Sequence, residues 1–340
     1  MKPEYVFDSK PEIGSTMPVA DGIHWLRMPL PFDLDHINLW LLEDDGGWAI
    51  VDCGISSSTS EDIWRKTFDT TMRGLPVTHV IATHLHPDHI GCAGWLTRQF
   101  EVDLWMTREE YMLARLLLAD TGKPAPDEAI RFYAAAGFSD QALHDYRERF
   151  GFFGRLVSKL PESYVRIHEN DRLALGEHDW RVLIGRGHSP EHACLYSEDQ
   201  NLLISGDQVL PTISSNVSVW PTEPAANPLR HWLESLAALR EAIPEDVLVL
   251  PAHGKPFRGA HARIDTLIAE HLRQLDILHE HLANPCRAVD TFGVLFGRRV
   301  PDSHRTMATG EAIAHINYLL AGGQAIVEPD ASGVNWYRRA

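Results

Sequence analysis

The six residues His84-Leu85-His86-Pro87-Asp88-His89 put four metal-competent side chains at the end of the apolar run THVIAT. Such density serves no packing purpose. Residues two apart on an extended segment point the same way, so His84 and His86 can share one ion while Asp88 and His89 turn toward a neighbouring one. Imidazole and carboxylate without thiolate suit zinc, iron or manganese in a hydrolytic site better than a structural zinc site. Most of the 19 histidines must be incidental, and His24, His79, His144 and His271 have no such context.

The remaining ligands have to come from other strand ends. Three candidates stand in equivalent places: His188 after WRVLIGRG, Asp207 after NLLISG and His253 after VLVLPA. A polar ligand recurring just past a buried strand is what a site at one edge of a sheet sandwich requires.

The elements that would position these residues alternate along the chain. The runs GIHWLRM, INLWLLE and WAIVDCG read as a meander opening a sheet, with Asp44, Asp45, Gly46 and Gly47 forming a turn between the last two. Ile63, Trp64, Thr67 and Phe68 are spaced for an amphipathic helix, and Pro87 favours a helix start inside or just after the histidine motif. Residues 107–160 change character, with helical patterns broken by TGKPAPD, and read as a helical insertion. YVRIHE, WRVLIGRGH, HACLYSED and NLLISGD read as strands, then a Pro-rich loop leads to the helix LRHWLESLAALREAI and the strand VLVLPAHG. The plan is a layered α/β domain over residues 1–258, followed at 259–340 by a small, mostly helical unit ending in a possible hairpin.

Composition agrees with a folded soluble protein, 44% apolar and 23% charged. The net charge of −16 argues against non-specific nucleic-acid binding. Cys53, Cys92, Cys194 and Cys286 form no C-x-x-C pair and read as reduced thiols. The N-terminal residues contain no apolar signal core and no run is long enough to span a bilayer, so the expectation is a cytoplasmic protein without membrane contact.

In the order HxHxDH (His84, His86, Asp88, His89), GHS (Gly187, His188, Ser189), SGD (Ser205, Gly206, Asp207) and PAHG (Pro251 to Gly254), residues 21–258 resemble the metallo-β-lactamase superfamily. The resemblance implies an αββα metallo-β-lactamase sandwich with the metals at one edge. It also implies two divalent metal ions per chain, zinc first, with iron or manganese as alternatives. His84, His86 and His188 would hold the first, Asp88, His89 and His253 the second, and Asp207 would bridge them. Asp52, in IVDCG, matches an acidic residue of the family that orients a ligand from behind; alone, it could as well cap a turn.

The chemistry implied is hydrolysis, with Asp88 catalytic as well as ligating, accepting a hydrogen bond from the attacking oxygen or passing a proton to the leaving group. Within the superfamily the likeness is to glyoxalase II-like thioester hydrolases and then lactonases. The expected substrate is therefore a small ester-like molecule, a thioester before a lactone, with phosphodiester or RNA hydrolysis third and sulfur dioxygenation at a single iron fourth. Lys255, Arg258 and Arg263 could grip an anionic group or be solvated charges. Trp220, with Phe132, Tyr133, Phe150, Phe152 and Phe153, could line a pocket or belong to the core. The C-terminal unit resembles the winged-helix-like tail of some members. Its Arg287, Arg298, Arg299, Arg305, Arg338 and Arg339 stand against Asp290, Asp302, Glu311, Glu328 and Asp330, so no basic stripe marks a nucleic-acid-binding module. Packing on the catalytic domain or homodimer formation fits it better.

Overall fold

The apolar runs become strands buried on both faces, and a computed structural model, describing residues 3–297 and 299–340, shows how they are layered. Arg298, counted above among the C-terminal charges, lies outside the described residues. The first half runs β1 (Glu4–Tyr5), β2 (Thr16–Ala20), β3 (Ile23–Pro29), β4 (His36–Asp44), β5 (Gly47–Val51), α1 (Ser58–Thr70), β6 (Val77–Ile81), α2 (Pro87–Ile90), α3 (Ala93–Phe100) and β7 (Leu104–Met106). Helices α4 (Arg108–Ala119), α5 (Asp127–Ala135) and α6 (Asp140–Arg149) follow. Then come β8 (Val165–Arg166), β9 (Arg172–Leu175), β10 (His178–Gly185), β11 (His192–Ser197), β12 (Leu202–Gly206), α7 (Pro228–Ala242), β13 (Leu248–Pro251) and β14 (Phe257–Arg258). The chain ends with α8 (Ala260–His281), α9 (Phe292–Phe296), α10 (Arg305–Ala321) and the hairpin β15 (Ala325–Pro329) and β16 (Asn335–Arg339).

Strands β2 to β8 form one sheet in sequence order, antiparallel as far as β5 and parallel beyond it. The other sheet has the order β1-β14-β13-β12-β11-β10-β9, with β12 and β13 parallel. Side-chain alternation decides which core each residue enters. On β4, Trp40 and Leu42 meet Trp180, Val182, Leu195, Ile204 and Leu250 of the opposite sheet. Ile37, Leu39 and Leu41 point outward to Trp64 and Leu96 of the helices on that side. On the second sheet, Cys194, Leu203 and Val249 face out onto Trp232, Leu236, Ile264, Leu275 and Ile313. A strand that must fill two cores reads as a continuous apolar run, which is why these segments were visible in the sequence. The layers are helix, sheet, sheet, helix, the αββα sandwich expected.

Two features differ from the sequence reading. Strands β2, β7 and β9 had no counterpart in it, and helix α5 falls inside the helical insertion without having been delimited; β7 is three residues long, too short for a periodicity to show. Among the described residues the C-terminal segment shares a core with the second sheet rather than forming one of its own. Ile264, Leu267, Leu275, Ile313, Ile316 and Tyr337 belong to the core that also holds Leu203, Val249 and Trp232. All four cysteines are free and buried. Among the described residues no helix is long and apolar enough to cross a membrane.

Candidate metal centre

Strand ends from both sheets converge on one edge. Past β6 the chain extends through Thr83, His84 and His86, and Pro87 at the first helical position starts α2, which turns Asp88 and His89 inward. From the other sheet, β10 leads to His188, β12 to Asp207 and β13 to His253. The parallel pairings of β5 with β6 and of β12 with β13 put these C-terminal ends on the same side.

The seven side chains form two groups able to hold a metal ion, His84, His86, His188 and Asp207 in one and Asp88, His89 and His253 in the other. In the first, His84 Nε2 lies 2.8 Å from His86 Nδ1 and 3.3 Å from His188 Nε2, and His188 Nε2 lies 3.3 Å from Asp207 Oδ2. In the second, Asp88 Oδ2 is 3.7 Å from His89 Nε2 and 3.4 Å from His253 Nε2. Asp207 joins them, with Oδ2 3.6 Å from His89 Nε2 and Oδ1 3.5 Å from His253 Nε2.

These side chains fit metal ions. Ligand bonds of about 2.0–2.1 Å in a tetrahedron put neighbouring donor atoms roughly 3.3–3.4 Å apart, within the 2.8–3.7 Å range found here. Buried polar atoms normally have hydrogen-bond partners, yet His89 Nε2 and Asp207 Oδ1 are buried without one. The electrostatics agree. Burial, then the fields of His89 and His86, hold His84 well below its ordinary range, and burial pushes His86 down to about 3, so both are neutral donors. Burial disfavours charge on His89 too, but Asp52, Asp88 and Asp207 outweigh it and raise its pKa. The most negative place in the site is where a cation gains most.

Four of the five imidazoles, all but His86, are also held from behind, which fixes their tautomer and direction. His89 Nδ1 donates to Asp52 Oδ2 at 2.7 Å, His188 Nδ1 to the Asn216 carbonyl at 2.7 Å and His253 Nδ1 to the His36 carbonyl at 2.8 Å. His84 Nδ1 meets Thr83 Oγ1 at 3.0 Å, and that hydroxyl in turn donates to Asp52. Asp52 thus serves two histidines. Its φ of 62° is left-handed, a conformation that aspartate tolerates better than most residues.

Three supporting residues escaped the sequence reading. Glu110 of α4 is fully buried and accepts the backbone N–H of Leu85 at 3.0 Å and of Glu191 at 2.7 Å, clamping both ligand loops of the first group. Burial pushes its carboxyl up to about 7, against the pull of those N–H groups. Asn38, buried in β4, donates to the carbonyls of Pro251 and Gly254, both at 2.8 Å, and so grips the turn bearing His253. His192 Nε2 accepts the Asp207 N–H at 3.0 Å. A Cβ on Gly206 would stand 2.5 Å from that nitrogen, and φ there is +48°, so glycine is required. An amide within an apolar strand was a usable signal for Asn38; Glu110 and His192 gave none.

Lys255, Arg258, Arg263 and Trp220 lie outside the two groups. Lys255 Nζ donates to the carbonyls of Phe7 and Asp8, Arg258 to that of Asp246, and buried Arg263 to those of Leu210 and Ile213. Trp220 borders a cavity of about 200 Å³ with Tyr133, Tyr146, Arg149 and Arg305, and none of the seven donors lines it. Phe132 packs against the core beneath the second sheet, Phe153 against that beneath the first, and Phe152 is exposed.

Comparison with known proteins agrees with this geometry. Residues 32–254 match the family model of the metallo-beta-lactamase superfamily, and residues 275–340 match that of a metallo-beta-lactamase-like C-terminal domain. A solved beta-lactamase domain protein from Burkholderia ambifaria is 45% identical, with 99% of this chain and 98% of that one covered and a TM-score of 0.91. The probable metallo-hydrolase YqjP of Bacillus subtilis is 23% identical over 71% of this chain and 74% of its own. The acyl-coenzyme A thioesterase MBLAC2 of Gallus gallus is 24% identical over 77% of this chain and 88% of its own. Motif order, layer order and whole-chain similarity have one explanation: the protein belongs to the metallo-β-lactamase superfamily and is a metal-binding hydrolase of that fold.

Proposed function

We propose that this protein is a dinuclear hydrolase of small thioesters of the acyl-coenzyme A type, with lactones as the second substrate class. The observation that carries the reading is the place of Asp207 between two donor sets, with Oδ2 facing His188 of one and His89 of the other and Oδ1 facing His253. His84, His86 and His188 would hold one ion, Asp88, His89 and His253 the other, with Asp207 between them and zinc the first choice for both. Such ions supply Lewis acidity toward a carbonyl and lower the pKa of water.

The protein's own groups do the rest. Burial works against the charge on Asp88, but His89 and His253 outweigh it and keep the carboxyl below its usual range. It is therefore ionised at neutral pH, and its side chain keeps 18% of its exposure, so it can accept a hydrogen bond from an attacking water and orient it. A thiolate, whose conjugate acid titrates at about 8.5, leaves without the proton that an amide nitrogen needs. A site of metal donors and one ionised aspartate therefore suits a thioester better than a peptide bond. The thioesterase name of one relative supports the same class. Trp220 and the cavity beside it are the proposed seat of the acyl end. Lys255 and Arg258, already engaged by backbone carbonyls, are not assigned to substrate.

Initial rates on matched acyl-coenzyme A, lactone and phosphodiester substrates, with metal quantified on the same sample, test the reading. Chelator-sensitive thioester cleavage with about two metals per chain is expected. Phosphodiester cleavage alone would move the protein to nucleic-acid chemistry, against its net charge of −16.

A further inference from the structure

We propose that Glu311, carried by the C-terminal unit, is a positioning residue for the metal centre that acts through the Asn216 loop on the direction of His188. The proposal rests on His188 being a ligand. The Asn216 carbonyl accepts the His188 Nδ1–H at 2.7 Å, so the direction of that carbonyl sets the direction of Nε2. The Asn216 side chain is held from two sides. Its Nδ2 donates to Glu311 Oε2 at 2.7 Å, and its Oδ1 accepts from Ser218 Oγ at 2.6 Å.

The loop lies directly on α10. Val219 N–H donates to the Gly310 carbonyl at 3.0 Å, and Ser218 Oγ is 3.1 Å from the Met307 carbonyl. A Cβ on Gly310 would come within 2.7 Å of Ser218, leaving no room for a side chain between helix and loop. At the other end of the loop, Ser214 Oγ meets His271 Nε2 of α8 at 3.1 Å. His271 Nδ1 is 3.5 Å from His315 Nε2, and His315 Nδ1 donates to the carbonyl of Glu311 itself at 2.9 Å. The two long C-terminal helices thus hold the loop at its ends, and Glu311 fixes Asn216, whose carbonyl holds the His188 imidazole, next to Ser215, whose hydroxyl donates to the Asp207 carbonyl. The family fold supplies the strand ends; the C-terminal unit supplies the last constraint on one imidazole.

The test is zinc affinity of the full-length protein, stripped of metal and titrated against a chromophoric chelator, with the visible spectrum of the cobalt(II) form as a second readout. Glu311→Ala should weaken one of the two binding steps by about tenfold, spare the other, and alter the cobalt spectrum. Glu311→Gln should restore both, because its amide oxygen can accept the same Asn216 bond. Should Glu311→Ala not fold, Asn216→Ala removes that bond from the other side and carries the same expectation. Unchanged affinity in the folded alanine variant, or a glutamine variant as weak as alanine, would overturn the proposal. His188→Ala separates the two readings. If it leaves both steps unchanged, the ligand assignment falls and the proposal with it; if it weakens a step that Glu311→Ala does not, the proposal alone falls.

Discussion

At the scale of single residues, the donors and the groups behind them should fail differently. Removing His86 or Asp207 takes away a donor atom that nothing nearby replaces, and His86→Ala or Asp207→Ala should nearly abolish turnover. Asp52→Asn keeps the shape but cannot accept from Thr83 and His89 as the carboxylate does. It should weaken metal binding by roughly 10–100-fold while activity recovers at high metal concentration. A titration showing unchanged affinity would reduce Asp52 to a turn residue. The same distinction explains what the sequence disclosed. All seven candidate donors were legible because each stands at or shortly past the end of an apolar strand, and the structure gathers them into two groups able to hold a metal ion. Glu110 and His192 were not, since a buried glutamate on an amphipathic helix and a histidine in a strand declare their partners only after the sheets are stacked.

At the scale of elements, the insertion is two things. Helix α4 is tied to the metal centre by Glu110, and Thr107 Oγ1 just before it donates to the Glu191 carbonyl at 2.8 Å. Helices α5 and α6 instead bring Tyr133, Tyr146 and Arg149 to the cavity beside Trp220. Glu110→Ala leaves the buried Leu85 N–H unpaired, at about 1–3 kcal/mol, frees the half-buried Glu191 N–H, and should lower metal content along with stability. Replacing residues 127–149 by a short linker should keep the metal and change substrate preference, read as a shift in relative kcat/KM among acyl chains. Loss of metal in the second variant would show that the insertion is one structural piece. The sequence marked residues 107–160 as a unit because the helical period is legible there; which helix faces which site is a tertiary fact.

At the scale of the molecule, the shared core makes acid a threat to the whole. Burial pushes His271 down to about 3 and His315 to about 4 from an ordinary 6.5. Between those values and 6.5 the unfolded chain takes up protons that the folded chain refuses, so stability rises with pH across that window. The contribution is complete above about 6.5 and is lost as pH falls toward 4. For His315, fully buried, it amounts to about 3 kcal/mol at most. Lowering the pH from 7 to 5 should therefore depress Tm more in the wild type than in His315→Gln, which keeps a donor for the Glu311 carbonyl. Parallel Tm curves would remove the histidine pair from the acid response. In the sequence His271 was set aside as incidental and His315 was not singled out, because burial is a property of the assembled layers.

The donors of the first group come from different sheets, and His84 and His188 stand 104 residues apart along the chain. An ion between them would span the seam of the sandwich, so its escape would require the layers to breathe. Stripping by a chelator should then reach a ceiling set by the protein's own opening rate, however much chelator is added. A rate that climbs in proportion to chelator would mean that ions leave sideways through the mouth of the site while the seam stays shut.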